Sequence, residues 1–173
     1  CARSIGARRI LELGASTGQS GCYLAASPAC ERFVTIEASP SLAGLARSHL
    51  GRFGDRAVVV EGFVEAELDK ALGLLDGAVD LVYLDAVKDA DGIVACVERL
   101  SPALRGGSLL ILDDIRWSPG CRAGWAAVRR RAGVTTSIDL GRFGLCVWRG
   151  DPAAPAYADL SRYLGWFRIH AGR

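Results

Sequence analysis

The sequence predicts an α/β fold: a Rossmann-like, doubly wound, mostly parallel sheet with an antiparallel last strand, covered by helices in three αβα layers. Three observations carry that prediction. Short apolar runs alternate with helical stretches five times over, a pattern that demands right-handed crossovers and parallel strands. The first run empties into a glycine-rich turn that opens a helix. The final two strands are separated only by Gly141-Arg142, too short for a crossover and right for a hairpin, so the last strand must run antiparallel.

Taken in order, Ile10, Leu11 and Leu13 form a run too short for a helix and broken at Gly14, which suits a central strand buried on both faces. Gln19 to Ala26 begin the first helix. Phe33 to Glu37 is the second strand. Ser39-Pro40-Ser41 starts the next helix, with proline tolerated in its first turn, and Leu42 to Leu50 continue it. Gly51 to Asp55 turns the chain into the β-branched strand Ala57 to Glu61. Val64 to Leu75 is a helix with Leu68, Ala71, Leu72 and Leu75 on one face, broken by Asp76-Gly77. Asp80 to Leu84 is the fourth strand, and Asp91 to Leu104 is its helix, closed by Arg105-Gly106-Gly107. Leu109 to Leu112 is the fifth strand, Cys121 to Ala132 an amphipathic helix, and the hairpin pairs Thr135 to Leu140 with Phe143 to Trp148. The stretch DPAAPA is a linker, and Tyr157 to Ile169 is expected to form a short terminal helix with Tyr157, Leu160, Leu164 and Phe167 inward. The chain therefore reads as one domain over 1–150 with a tail, 151–173, packed on or beside it.

Of the 173 residues, 50% are hydrophobic, enough to bury one sizeable core. The formal net charge is +2 and the basic residues are scattered, apart from Arg129 to Arg131, which read as a solvated helix face rather than a nucleic-acid patch. No segment reaches the ~18 to 20 continuous apolar residues of a membrane span, and no signal region opens the chain. Six cysteines without a C-x-x-C pair read as buried thiols of a cytoplasmic protein. His49 and His170 read as surface residues, and no Ser-His-Asp order suggests a hydrolase. The chain begins at Cys1 and contains no methionine, so a segment upstream is expected.

The chemistry concentrates at strand ends. Gly14 and Gly18 free the backbone for close approach to a ligand, but Ser16 stands where the dinucleotide fingerprint has its middle glycine. A pyrophosphate is disfavoured further by Glu12, two residues before Gly14, whose carboxylate repels phosphate and attracts a cation. Glu37 ends the second strand where a carboxylate can take both ribose hydroxyls. Together Glu12 and Glu37 describe a nucleoside ligand without a phosphate bridge, and S-adenosylmethionine, with its ammonium and sulfonium, fits. The competing reading is a turn glycine pair beside two solvated acids.

With these residues in place, the chain resembles the class I S-adenosylmethionine-dependent methyltransferases, and within them the catechol O-methyltransferase-like group. ILELGASTGQS is similar to that group's first motif, matching at Glu12, Gly14, Ala15, Gly18 and Ser20. VTIEASP is similar to its ribose motif, with Glu37 followed by Ala38. The resemblance implies that Ser20 holds the methionine carboxylate, that Gly62, Phe63 and Val64 border the adenine, and that Asp85 and Ala86 complete the cofactor contacts with Ser16. YLDAVKD resembles the stretch in which an aspartate binds Mg²⁺ and a lysine is the general base, here Asp85 and Lys88. ILDDI resembles the stretch that gives two further ligands, Asp113 and Asp114, the second being asparagine in catechol enzymes. Val87 stands where that group has an aromatic residue over the adenine, and Ala86 replaces a polar neighbour. The resemblance thus implies methyl transfer to an oxygen of a small-molecule acceptor, with Mg²⁺ assistance or with a metal-independent alternative in which Asp85 alone handles the proton. Helices ahead of the first strand would close over the site. A non-catalytic nucleotide-binding module remains the rival class, neither nucleic acid nor membrane is an expected partner, and a homodimer is left open.

Overall fold

A computed structural model describes residues 1–149 and 156–163. Its elements run β1 (Arg9–Leu13), α1 (Gln19–Ala25), β2 (Arg32–Glu37), α2 (Pro40–Leu50), β3 (Ala57–Glu61), α3 (Val64–Leu74), β4 (Val79–Leu84), α4 (Ala90–Leu100), β5 (Leu104–Leu112), α5 (Pro119–Val128), β6 (Val134–Asp139), β7 (Gly144–Trp148) and β8 (Ala156–Asp159). One sheet holds all eight strands in the order β3-β2-β1-β4-β5-β7-β6-β8. Strands β1 to β5 pair parallel, and β7 runs antiparallel to both β5 and β6. Strand order reverses between β1 and β4, so the carboxyl ends of β1, β2 and β4 open on a common crevice, where doubly wound sheets bind ligands.

The period-two alternation of β1 separates two cores. Leu11 and Leu13 face the layer built by α3, α4 and α5, packing with Leu68, Val97 and Leu100. Ile10 faces the opposite layer with Phe33 of β2 and with Ala25, Ala46 and Leu50 from α1 and α2. Ile10, Leu11 and Leu13 are all completely buried, as a central strand covered on both sides requires. Helix α2 starts as its sequence dictates, with the Ser39 hydroxyl accepting the Leu42 N–H and Pro40 in the first turn. The four well-buried cysteines, Cys30, Cys96, Cys121 and Cys146, fill core positions as free thiols, whereas Cys1 is exposed and Cys22 only half-buried.

Three expectations are corrected. Helix α4 ends at Leu100, and Leu104 already belongs to β5; Arg105-Gly106-Gly107 is not a helix stop but the start of a long strand. The register breaks between Val79 and Leu81, and Ser108 repairs the break: its hydroxyl accepts the Arg105 N–H at 2.8 Å and donates to the Val79 carbonyl at 2.7 Å. Helix α5 stops at Val128 rather than Ala132, because Gly133 takes a positive φ of 98° and packs on the Trp148 ring, turning the chain into β6. The arginine run is accordingly a turn with partners: Arg131 pairs with Glu98 and Arg129 stacks on Tyr157. Last, the expected terminal helix is absent over its first part. Residues Ala156–Asp159 add a parallel strand to β6, and Tyr157 and Leu160 are 45% and 39% exposed instead of facing inward. Leu164, Phe167 and His170 lie outside the described residues, as does most of the linker. Among the described residues no helix is long and apolar enough to cross a membrane.

Candidate active site

The loop after β1 is held by backbone geometry. Gly14 has φ 98° and approaches the end of β4 so closely that a Cβ would meet the Ala86 nitrogen at 3.1 Å. Gly18, also left-handed, caps α1, and a Cβ there would lie 2.9 Å from the Ala46 Cα of α2. The first glycine therefore lets the loop meet β4, and the second lets α2 pack. Ser16 adopts φ 47°, a strained value for a residue with a side chain, and its N–H donates to Glu37 Oε2 at 2.7 Å. Glu37 Oε1 accepts the Ser39 N–H at 2.9 Å, so one carboxylate ties the two cofactor-side loops together.

A cavity of about 380 Å³ opens beside this carboxylate, within the range of small-ligand sites. Its wall includes Gly14, Ser16, Glu37, Ala38, Gly62, Phe63, Val64, Asp85, Ala86 and Lys88, all expected from sequence. It also includes Val87, which the resemblance set beside the adenine, and Ile36, Leu42, Glu65 and Asp89, which sequence reasoning did not single out; Ile36 and Leu42 could have been found as the apolar neighbours of Glu37 in chain and helix. Ala15 and Gly18 are buried, Ser20 is half-buried, and none of the three is on the cavity wall. Glu12 is not on it either. Period two puts Glu12 on the α1 side of the sheet, and Gly21 of α1 comes so close that a Cβ there would lie 3.0 Å from Glu12 Oε2. Fully buried, Glu12 accepts a hydrogen bond from the Thr35 hydroxyl at 2.7 Å, while its Oε1 has no partner among the described residues. Burial pushes its carboxyl up to about 7, against smaller opposing effects of Ser20 and Thr35. A solvated strand-end acid is therefore excluded at this position.

At the other end of the cavity the acids of β4 and β5 meet. Oxygens of Asp85, Asp113 and Asp114 lie within 4.8 Å of one another. Lys88 donates to Asp85 Oδ1 at 2.6 Å and to Asp114 Oδ2 at 3.0 Å. Burial alone would lower the Lys88 ammonium's pKa, but these two carboxylates outweigh it and raise the pKa above its ordinary value; burial in turn raises Asp85 despite Lys88. Asp113 does not pair with Arg116. Its partners are Arg142, in a two-pronged contact at 2.7 and 3.0 Å, and the Tyr83 hydroxyl at 2.6 Å. Arg116 instead reaches the buried Asp139 and Asp159 of β8. Arg142 was missed because a two-residue hairpin tip reads only as a turn. The signal was nonetheless available: a final strand antiparallel to β5 must place its preceding turn at the carboxyl end of β5, beside Asp113.

A doubly wound sheet with a cavity at its switch point and an acidic cluster alongside places the chain among the Rossmann-like α/β proteins with a candidate ligand site. The methyltransferase domain family Methyltransf_24 matches residues 11–115. The chain belongs to that family, and it is an S-adenosylmethionine-dependent methyltransferase. Solved structures agree. The cofactor-bound Rv0187 from MTB is 30% identical with a TM-score of 0.73, over 87% of this chain and 77% of that one. An O-methyltransferase, TomG, from Streptomyces achromogenes, involved in tomaymycin synthesis and solved in complex with SAM, is 28% identical with a TM-score of 0.70, over 86% of this chain and 76% of that one. The O-methyltransferase of Bacillus cereus in complex with SAH is 26% identical with a TM-score of 0.69, over 84% and 76%. No curated protein matches the chain.

Proposed function

We propose that the chain methylates an oxygen of a small-molecule acceptor, with Asp85 taking the acceptor's proton. The observation that supports this reading is that Glu37, Asp85 and Lys88 line one cavity, so a ribose on Glu37 and a proton acceptor at Asp85 fit in a single site. S-adenosylmethionine supplies the methyl group on a sulfonium: the acceptor oxygen forms the new C–O bond as the S–C bond breaks, and the bonding pair stays on sulfur. The residues of the chain bind, orient and handle one proton. Glu37 receives the ribose hydroxyls on the lone pairs left free by Ser16 and Ser39; Gly62, Phe63 and Val64 border the base. Ser20, half-buried in the first turn of α1, serves the amino-acid end, and Glu12, fully buried beneath α1, makes no contact with the ligand.

Asp85 has one oxygen held by Lys88, which leaves the other to accept the hydroxyl proton as the acceptor is aligned. Lys88 spends its hydrogen bonds on Asp85 and Asp114, so it suits the part of an orienting cation better than that of a base. Acceptor choice falls to the segment 115–122, in which Trp117 is 75% exposed, and the similarity of the chain to O-methyltransferases supports oxygen over nitrogen. The test is a methyl-transfer screen over phenols, catechols, sugars and amines. Asp85→Asn should lower kcat by roughly 10²- to 10⁴-fold with S-adenosylhomocysteine affinity held within a few fold. Full turnover in that variant, or methylation of amines alone, would overturn the proposal.

A further inference from the structure

The acid cluster matches the donor set that the resemblance assigns to Mg²⁺, yet its donors are already engaged. Asp113 Oδ1 accepts Arg142 Nε at 2.7 Å and the Asp114 N–H at 2.6 Å; Oδ2 accepts the Tyr83 hydroxyl at 2.6 Å and Arg142 Nη2 at 3.0 Å. Four hydrogen bonds fill both oxygens of a side chain that is 1% exposed. Asp114 is flanked likewise, with Oδ2 on Lys88 at 3.0 Å and Oδ1 3.3 Å from Arg142 Nε. Three carboxylates thus face two cations supplied by the chain. A divalent ion among them would lie against an ammonium and a guanidinium, and the buried Asp113 would have to give up its fork to ligate it.

Arg142 is not a side chain that has merely swung in. Its hairpin tip is pinned on both sides: the Leu140 N–H donates to the Phe143 carbonyl at 2.8 Å, and the Gly141 N–H donates to Asp139 Oδ1 at 2.7 Å. The Arg142 carbonyl itself accepts the Ile115 N–H at 3.0 Å, locking the hairpin to the segment that follows Asp114. The guanidinium also lies over the Phe143 ring at 5.3 Å. Asp114, held at φ 57°, is set in the same junction.

We infer that Arg142, together with Lys88, takes the place of the divalent cation at Asp85, Asp113 and Asp114, so that methyl transfer by this chain is metal-independent. The inference rests on the methyltransferase reading only for its kinetic arm. Its first test is binding: Mn²⁺ titration of the whole chain, followed by electron paramagnetic resonance. Wild type should show no site occupied below millimolar Mn²⁺, and Arg142→Gln, which frees Asp113 and removes one cation, should bind Mn²⁺ at least tenfold more tightly. Arg142→Lys keeps the charge and should remain without a site. A micromolar Mn²⁺ site in wild type that is lost in Asp113→Asn would overturn the inference, as would an Arg142→Gln protein that folds and still gains no affinity. If Arg142→Gln fails to fold, the wild-type titration decides alone. In the kinetic arm, wild-type turnover should change less than twofold with chelator, and a collapse that Mg²⁺ restores would overturn the inference. Failure to bind S-adenosylhomocysteine would instead count against the methyltransferase reading and leave the Mn²⁺ result standing.

Discussion

Glu37 receives the Ser16 N–H at 2.7 Å, a contact that brings the loop after β1 onto the end of β2 and leaves the carboxylate on the cavity wall. The carboxylate is therefore oriented before any ligand arrives. Glu37→Ala should cost S-adenosylhomocysteine affinity on the order of 1 to 3 kcal/mol, the worth of charge-assisted hydrogen bonds to a ligand. Calorimetry measures it; unchanged affinity in the variant would remove Glu37 from the ribose.

Glu12 gives a pH dependence with a definite sign. Its folded-state pKa, about 7, lies above the ordinary value of 4.5, so the folded chain binds the proton more tightly than the unfolded one. The stabilisation is fully present below pH 4.5 and is lost as pH rises through 7, amounting to about 3 kcal/mol. Glu12→Gln should flatten the fall of stability over that window and raise the midpoint of urea unfolding at pH 8. Identical profiles for the two proteins would show that Glu12 does not titrate there.

Gly18 has φ 82°, and a Cβ would lie 2.9 Å from the Ala46 backbone, so Gly18→Ala should destabilise by about 1 to 3 kcal/mol. Thermal unfolding checks it. Gly44→Ala is the control on α2, the helix that Gly18 packs against, because nothing lies within 4 Å of its missing Cβ. An equal shift in both would mean that the contact with α2 does not matter.

Lys88 joins two acids that come from different strands, and removing it leaves Asp85 and Asp114 facing each other without their shared cation. Lys88→Met should lower kcat more than it raises the KM for the cofactor, and Lys88→Arg should restore part of the rate. Loss confined to cofactor KM would place Lys88 on the cofactor side alone.

Where sequence reasoning succeeded, the information was local. The run from Ile10 to Gly18 states its own strand, turn and helix through apolar residues and glycines, and the acids meet because a parallel sheet collects its strand ends on one edge: Glu37 is the last residue of β2, and Asp85, Asp113 and Asp114 lie one or two residues past β4 and β5. Where it failed, the deciding contact was remote. Leu104 is a strand residue because it pairs with Val79, not because of its neighbours. Ala156–Asp159 is a strand because β6 offers an edge. Arg142 joins the site only once the hairpin folds back against β5, bringing a turn residue to an aspartate 29 positions earlier. Glu12 was legible as a strand-end acid, but its burial depended on how closely α1 settles over Gly21.

The cavity beside Glu37 is expected to take a nucleoside joined to a cationic amino acid and not a dinucleotide. Calorimetric titration of the whole chain with S-adenosylhomocysteine and with NAD⁺ tests it most directly. S-adenosylhomocysteine should bind saturably, at least tenfold tighter than NAD⁺, and more weakly in Glu37→Ala. Tighter binding of NAD⁺ would contradict it.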